Sequence, residues 1–148
     1  MPQLSPWQHY QKDLTRDGFS HDPAQEIAVK ALQRVYEDLT TAEEPSSIVG
    51  KLFSALGLKS APASPKGLYL WGGVGRGKTY LMDTFFDALP GEQKLRAHFH
   101  RFMHQLHLDL DELKGVRDPL LVIAKKMAAK YRVICFDEFF VSDITDAM

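Results

Sequence analysis

One cysteine, Cys135, stands in the 148 residues. That excludes an internal disulfide framework and agrees with a reducing cytoplasm. No apolar run approaches the roughly 20 residues a helix needs to cross a bilayer. The N-terminal MPQLSPWQHYQKDL has no basic stretch leading into an apolar one and is not rich in Arg and Ser. Neither a secretory signal nor an organelle transit peptide is read there. Charge of one sign is lacking too: 18 Lys and Arg against 19 Asp and Glu leave a net −1. No bulk attraction therefore draws the chain to nucleic acid or to an anionic membrane, although a local patch is compatible with that balance. No internal repeat is visible. What is present is the length of one ordinary domain, with 45% hydrophobic residues, enough for a packed core.

Residues 1–21 are polar with scattered aromatics, Trp7, Tyr10 and Phe19, and read as a loose arm or a short helix. A helix follows. Asp22 is placed to cap it, Pro23 suits its first position, and Gln25 stands where a capping-box partner would. Ala24, Ile27, Ala28, Ala31, Leu32, Val35, Tyr36 and Leu39 then recur at helical spacing. TTAEEPSS breaks the pattern, residues 46–56 read as a shorter helix, and residues 57–67 form a Pro-, Ser-, Gly- and Ala-rich linker. The expected organisation is an N-terminal helical segment, 1–60, ahead of a core over 61–148.

Past the linker the rhythm becomes alternating strands and helices. The expected elements are a strand at 68–71, a helix at 78–89 with Leu81, Met82, Phe85 and Phe86 inward, and a strand around 97–99. Phe102, Met103, Leu106, Leu110 and Leu113 make a helical stripe. Asp118-Pro119 opens a helix to about Lys130, with Asp118 as an acidic cap, and 132–136 is an apolar strand. Such units build an α/β fold with a parallel sheet and flanking helices.

Between the first strand and helix lies GGVGRGKT. Gly72, Gly73, Val74, Gly75, Arg76, Gly77, Lys78 and Thr79 fit G-x-x-x-x-G-K-[ST] without deviation, and an expected strand and helix flank them as a phosphate loop requires. Without Cβ atoms the backbone can curl until successive N–H groups face one anion, and the next helix adds the positive end of its dipole. Lys78 would reach the β- and γ-phosphates of ATP, and the Thr79 hydroxyl would bind Mg2+. The bland alternative, a glycine-rich turn with a chance Lys-Thr, explains the motif but not its flanks.

Val133-Ile134-Cys135-Phe136 then runs into Asp137-Glu138 at the carboxyl end of a buried strand, where open α/β sheets bind ligands. Asp137 would orient Mg2+, and Glu138 would act as general base on the attacking water. The acids could instead cap a following helix. With a full phosphate loop upstream, the pair points to NTP hydrolysis rather than transfer to a metabolite. A small-molecule kinase is the weaker reading, since no acceptor-substrate lid is visible.

GLYLWGGVGRGKTYLMD (67–83), HFHRFM (98–103), CFDEFFVSDITDAM (135–148) and DPAQEIAVKAL (22–32) closely resemble the ZapE family of bacterial cell-division ATPases, a branch of the AAA+ ATPases with mitochondrial relatives. The resemblance implies an ATPase acting on the division ring and its FtsZ filaments. It further implies a cytoplasmic location, at most peripheral at the inner membrane, and ATP-driven homo-oligomers. By position it makes 72–79 the ATP loop, Asp137 the metal-site acid and Glu138 the catalytic glutamate. Members of that family are far longer. The resemblance therefore implies an incomplete AAA+ core in an N-terminal fragment, with sensors, arginine finger and lid not among these residues. One strand expected between the loop strand and the Asp-Glu strand is also not among them. An alternative function for the chain alone is a nucleotide-binding interaction module without effective hydrolysis.

Smaller signals are more open. His98, His100, His104 and His107 could include an i, i+4 zinc pair, but a polar edge explains them as well. The acids Asp109, Asp111 and Glu112 read as solvated surface, and so do the cations Lys125, Lys126, Lys130 and Arg132, with an acidic partner site as the lesser alternative for the cations. Gln25 resembles the adenine-reading glutamine that some helicases carry upstream of the loop, and capping explains it equally. Cys135, mid-strand, reads as buried structure. Phe139 and Phe140 read either as core or as a partner surface.

Overall fold

The structure is a computed structural model that describes residues 3–41 and 65–141. The helix expected at 46–56, the 60/61 boundary and most of the linker lie outside the described residues. The chain divides into two compact units, Met1–Pro90 and Gly91–Met148.

In the first unit three helices pack on one another: α1 (Pro6–Asp13), α2 (Pro23–Thr41) and α3 (Lys78–Ala88). α1 begins in a capping box, with Gln8 N donating to Ser5 Oγ at 3.4 Å and Ser5 N to Gln8 Oε1 at 2.9 Å. Of its two readings, this segment takes the short helix. Its aromatics supply core: Tyr10 is fully buried, in ring contact with Trp7 at 6.0 Å and Phe19 at 6.1 Å, and Phe19 meets Tyr80 at 5.4 Å. Trp7 N also donates to Gln33 Oε1 of α2 at 3.1 Å.

α2 turns Leu32 and Val35 inward, and α3 turns Leu81 and Phe85 inward, as their spacing predicts, while Val29, buried as well, lies outside the expected stripe of α2. Each such burial stabilises by on the order of 2 kcal/mol. Ile27, expected on the inner face of α2, is instead 71% exposed, because the buried stripe is narrower than the apolar one. The Asp22 carboxylate accepts from Ala24 N at 2.8 Å and so caps α2 as expected. Gln25 does not complete a capping box; its amide goes elsewhere.

No strand forms at 68–71. Those residues are irregular, with Leu68, Tyr69 and Trp71 41%, 64% and 83% exposed. A strand exists through its ladder, and among the described residues the ladder consists of two other strands.

Those are β1 (Lys94–His98) and β2 (Val133–Asp137) of the second unit, paired in parallel from Lys94↔Val133 to His98↔Asp137. β1 starts earlier than expected and ends at His98, which becomes the N-cap of α4 (Phe99–Glu112). Between the two strands the chain runs through α4 and α5 (Pro119–Lys130), the crossover that parallel pairing demands. The core here is Phe99, Ile123 and Cys135, extended by ring contacts of Phe136 with Phe99 (5.7 Å) and Phe102 (4.7 Å). α5 has the expected bounds, but Asp118 caps it with no side-chain hydrogen bond. With φ at 52°, Asp118 stands in left-handed backbone, and its carboxylate faces Arg117 at 3.6 Å instead. Helices with a small parallel sheet make this an α/β chain.

Candidate functional site

The glycine-rich stretch lies in the first unit, immediately before α3. Gly72 has φ 142°, and Gly75 and Gly77 both have φ 78°, backbone that an L side chain adopts only with strain. Gly77 is the N-cap of α3, and Lys78 its first residue. The Lys78 ammonium folds back over the loop, donating to Gly72 O at 2.9 Å and Gly73 O at 2.7 Å. Val74, at the crest, is fully exposed, and Thr79 is exposed on the first turn of α3. A left-handed, side-chain-poor loop thus carries a cation and ends on the positive pole of a helix, a combination suited to an anion.

Two side chains from the start of α2 meet this loop. Gln25 Nε2 donates to Arg76 O at 3.2 Å, and Asp22 Oδ2 faces the Arg76 guanidinium at 3.6 Å. A Cβ at Gly77 would stand 2.6 Å from Gln25 Nε2, whereas one at Gly75 would meet nothing within 4 Å. Further along α3, the Tyr80 hydroxyl donates to Asp13 Oδ2 at 2.6 Å. That bond, followed by Arg16, holds the Asp13 carboxyl below its ordinary value, while burial and then Asp13 push the Tyr80 hydroxyl up.

Asp137 and Glu138 belong to the second unit, at the carboxyl end of β2. Asp137 is mostly buried and paired with Arg96 of β1. The Arg96 Nη2 and Nε stand 2.7 and 3.0 Å from the same Oδ2. In the register Arg96 lies opposite Cys135, so Asp137 is its diagonal neighbour on the same sheet face. Sequence reasoning missed Arg96, and the signal that could have found it is a cation two residues back from the strand end that aligns with Asp137. Glu138 stands at φ 50°, unusual for a side-chain-bearing residue, and its carbonyl accepts from Phe140 N at 2.7 Å. Strain of that kind persists where surrounding structure imposes it and is concentrated at functional sites. Phe139 reaches Phe99 at 4.2 Å and so joins the ring cluster, while Phe140 is 75% exposed.

Among the described residues no group of three or more His, Cys, Asp or Glu side chains is arranged to hold a metal. His98 and His100 stack instead, 6.1 Å apart. A groove of about 380 Å3 between α4 and α5, lined by Leu95, Phe102, Leu106, Ile123 and Met127 among others, contains neither Asp137 nor Glu138. No described helix is long and apolar enough to cross a membrane.

The AFG1-like ATPase family model matches residues 4–148. The chain belongs to that family of ATPases. Among curated proteins it is similar to the cell division protein ZapE of Escherichia coli K12, 45% identical over 156 residues that cover 100% of the chain and 41% of the relative. An uncharacterized protein of Schizosaccharomyces pombe is 36% identical, over 97% of the chain and 38% of its own length. Lactation elevated protein 1 homolog B of Danio rerio is 40% identical over 60% of the chain and 20% of its own length. The chain thus spans about two fifths or less of these relatives. No solved structure matches it.

Proposed function

We propose that residues 61–148 form the core of a Mg-dependent ATPase and that residues 72–79 are its phosphate loop. The observation that carries this reading is the left-handed loop with Lys78 folded over it, in a chain of an ATPase family. On nucleotide binding, Lys78 would exchange the carbonyls of Gly72 and Gly73 for β- and γ-phosphate oxygens. The loop N–H groups and the first turn of α3 would face the same charge. Thr79 and Asp137 are the residues that would hold Mg2+, which supplies charge neutralisation on the phosphates. Thr79 fits that role with an exposed hydroxyl. Asp137 fits as a carboxylate at the end of β2, although Arg96 already shares its Oδ2. Glu138 would take the proton of the attacking water.

The same Arg96 contact favours a second reading, a nucleotide-binding interaction module without effective turnover, since a balanced Asp137 holds a cation less firmly. The relative's name extends the proposal to cell division. We take the partner to be a protein of the division ring such as FtsZ, met in the cytoplasm or peripherally at the inner membrane by an ATP-dependent oligomer. Co-sedimentation with FtsZ filaments, with and without ATP, tests that part.

The core reading is tested by Mg-ATP binding and phosphate release, wild type beside Lys78→Ala and Glu138→Gln. Loss of binding in Lys78→Ala, and binding without turnover in Glu138→Gln, is the expected pattern. Wild-type binding with no free phosphate selects the second reading. A Lys78→Ala chain that binds ATP as wild type does ends both.

A further inference from the structure

Gln25 is the third residue of α2, and α2 does not use it. The helix start is capped by Asp22, whose carboxylate takes Ala24 N at 2.8 Å, and the return bond of a capping box is not made. Gln25 Oε1 is buried with no hydrogen-bond partner among the described residues. The Nε2 of the same carboxamide instead crosses 51 positions of sequence to Arg76 O. Its orientation follows from that acceptor: turned over, the side chain would set Oε1 against a carbonyl oxygen, two acceptors with no proton between them.

The chemistry of the bond lies in what it fixes. The Arg76–Gly77 peptide is trans, like every peptide among the described residues, so the Arg76 carbonyl and the Gly77 N–H point in opposite directions from one plane. Holding Arg76 O toward α2 directs the Gly77 N–H away from α2. This plane precedes a glycine at φ 78°, where intrinsic backbone preference restrains a peptide flip least. Asp22 adds a second attachment on the same residue through the Arg76 guanidinium, partly exposed and correspondingly weak.

We propose that Gln25 is a positioning residue of the phosphate loop, whose carboxamide locks the Arg76–Gly77 peptide in the orientation that presents the Gly77 N–H to a bound polyphosphate. This rests on the nucleotide-loop reading above. It differs from a base-reading role, in which the carboxamide would contact the purine and affinity for a probe without a base would not depend on it.

The test uses the whole chain and three probes: Mg-ATP, Mg-GTP and inorganic tripolyphosphate. Affinities are measured by calorimetry for wild type, Gln25→Ala, Gln25→Glu and Lys78→Ala, well below each variant's melting temperature. Gln25→Ala is expected to weaken all three probes by one common factor of about five, the worth of one hydrogen bond. Gln25→Glu, which sets a carboxylate against the carbonyl, is expected to weaken them further. Weakening of ATP alone, with GTP and tripolyphosphate unchanged, would make Gln25 a base reader and overturn the proposal. Unchanged affinity for all three also overturns it, as does a lower melting temperature with no change in binding. If wild type binds no probe, or Lys78→Ala binds as wild type does, the loop reading itself has failed, and the proposal falls with it.

Discussion

Gly75 and Gly77 share φ 78° but not surroundings, and that difference allows the Gln25 contact to be weighed without any ligand. Alanine in left-handed backbone costs roughly 1–2 kcal/mol. The entropy alanine removes from the unfolded chain returns about 0.4–1 kcal/mol of that. Gly75→Ala, whose new methyl meets nothing within 4 Å, should therefore destabilise by about 1 kcal/mol. Gly77→Ala carries the same backbone term and one more. Its methyl would stand 2.6 Å from Gln25 Nε2. That atom ends a flexible side chain, so the overlap is relieved by moving it. Moving it breaks the bond to Arg76 O, worth about 1 kcal/mol. Gly77→Ala should thus cost about 2 kcal/mol, and only about 1 kcal/mol in a Gln25→Ala background where the bond is already gone. Urea denaturation followed by far-ultraviolet circular dichroism gives all of these values. Equal costs at Gly75 and Gly77, or an additive cycle between positions 25 and 77, would refute the reasoning.

Three further outcomes follow from other contacts. Tyr80→Phe should lower stability by about 1.5 kcal/mol at pH 7, since the hydroxyl donates to a carboxylate at 2.6 Å. The Asp13 carboxyl is held below its ordinary 3.8, so its stabilisation is present above that pH and lost as pH falls through the lower folded value. Melting curves of wild type and Tyr80→Phe should therefore converge in acid. Tyr80 is held above its ordinary 10.0, so its own share is present below pH 10 and fades only as pH rises through the higher folded value. Burial pushes the Cys135 thiol up to about 11, so iodoacetamide at pH 8 should label it only at the rate of unfolding, and labelling as fast as free cysteine would contradict its burial. Arg96→Ala should destabilise by about 2 kcal/mol, because it strands a mostly buried carboxylate, and Arg96→Lys should recover part of that in the same denaturation assay.

The elements that were legible in the sequence are those whose signals are local. Asp118-Pro119 and the apolar spacing after it gave the bounds of α5, and Val133 to Phe136 gave β2. The stripes gave Leu81 and Phe85 of α3 and Leu32 and Val35 of α2, but missed the buried Val29 and included the exposed Ala24 and Ile27. The failures share a cause. The run at 68–71 has strand composition, but a strand needs a neighbour. Among the described residues no strand pairs with it. Residues 1–21 left the choice between arm and short helix open because the contacts that order their aromatics, Tyr10 with Phe19 and Phe19 with Tyr80, lie beyond a turn or far along the chain.

The candidate site divides along the same line. The motif residues were visible because glycine, lysine and paired acids at fixed spacing are unusual for any other purpose. What holds them was not visible. Tyr80 reaches Asp13 across 67 positions, Gln25 reaches Arg76 across 51, and Arg96 reaches Asp137 across 41. Each of these contacts ends on a motif residue or its immediate neighbour: Arg76 in the loop, Tyr80 directly after Thr79, Asp137 at the strand end. A short motif can specify the reacting groups because their chemistry depends on residue type. Their orientation depends on partners that only the folded chain brings near: the local pattern offers Gln25 for capping or for adenine, Arg96 only once the strand register is known, and Asp13 not at all. If the contacts orient the motif rather than merely accompany it, substitutions at Gln25 and Arg96 should move ligand affinity more than their effect on stability accounts for. Affinity that simply tracks the folded fraction in both variants would leave them as ordinary packing contacts.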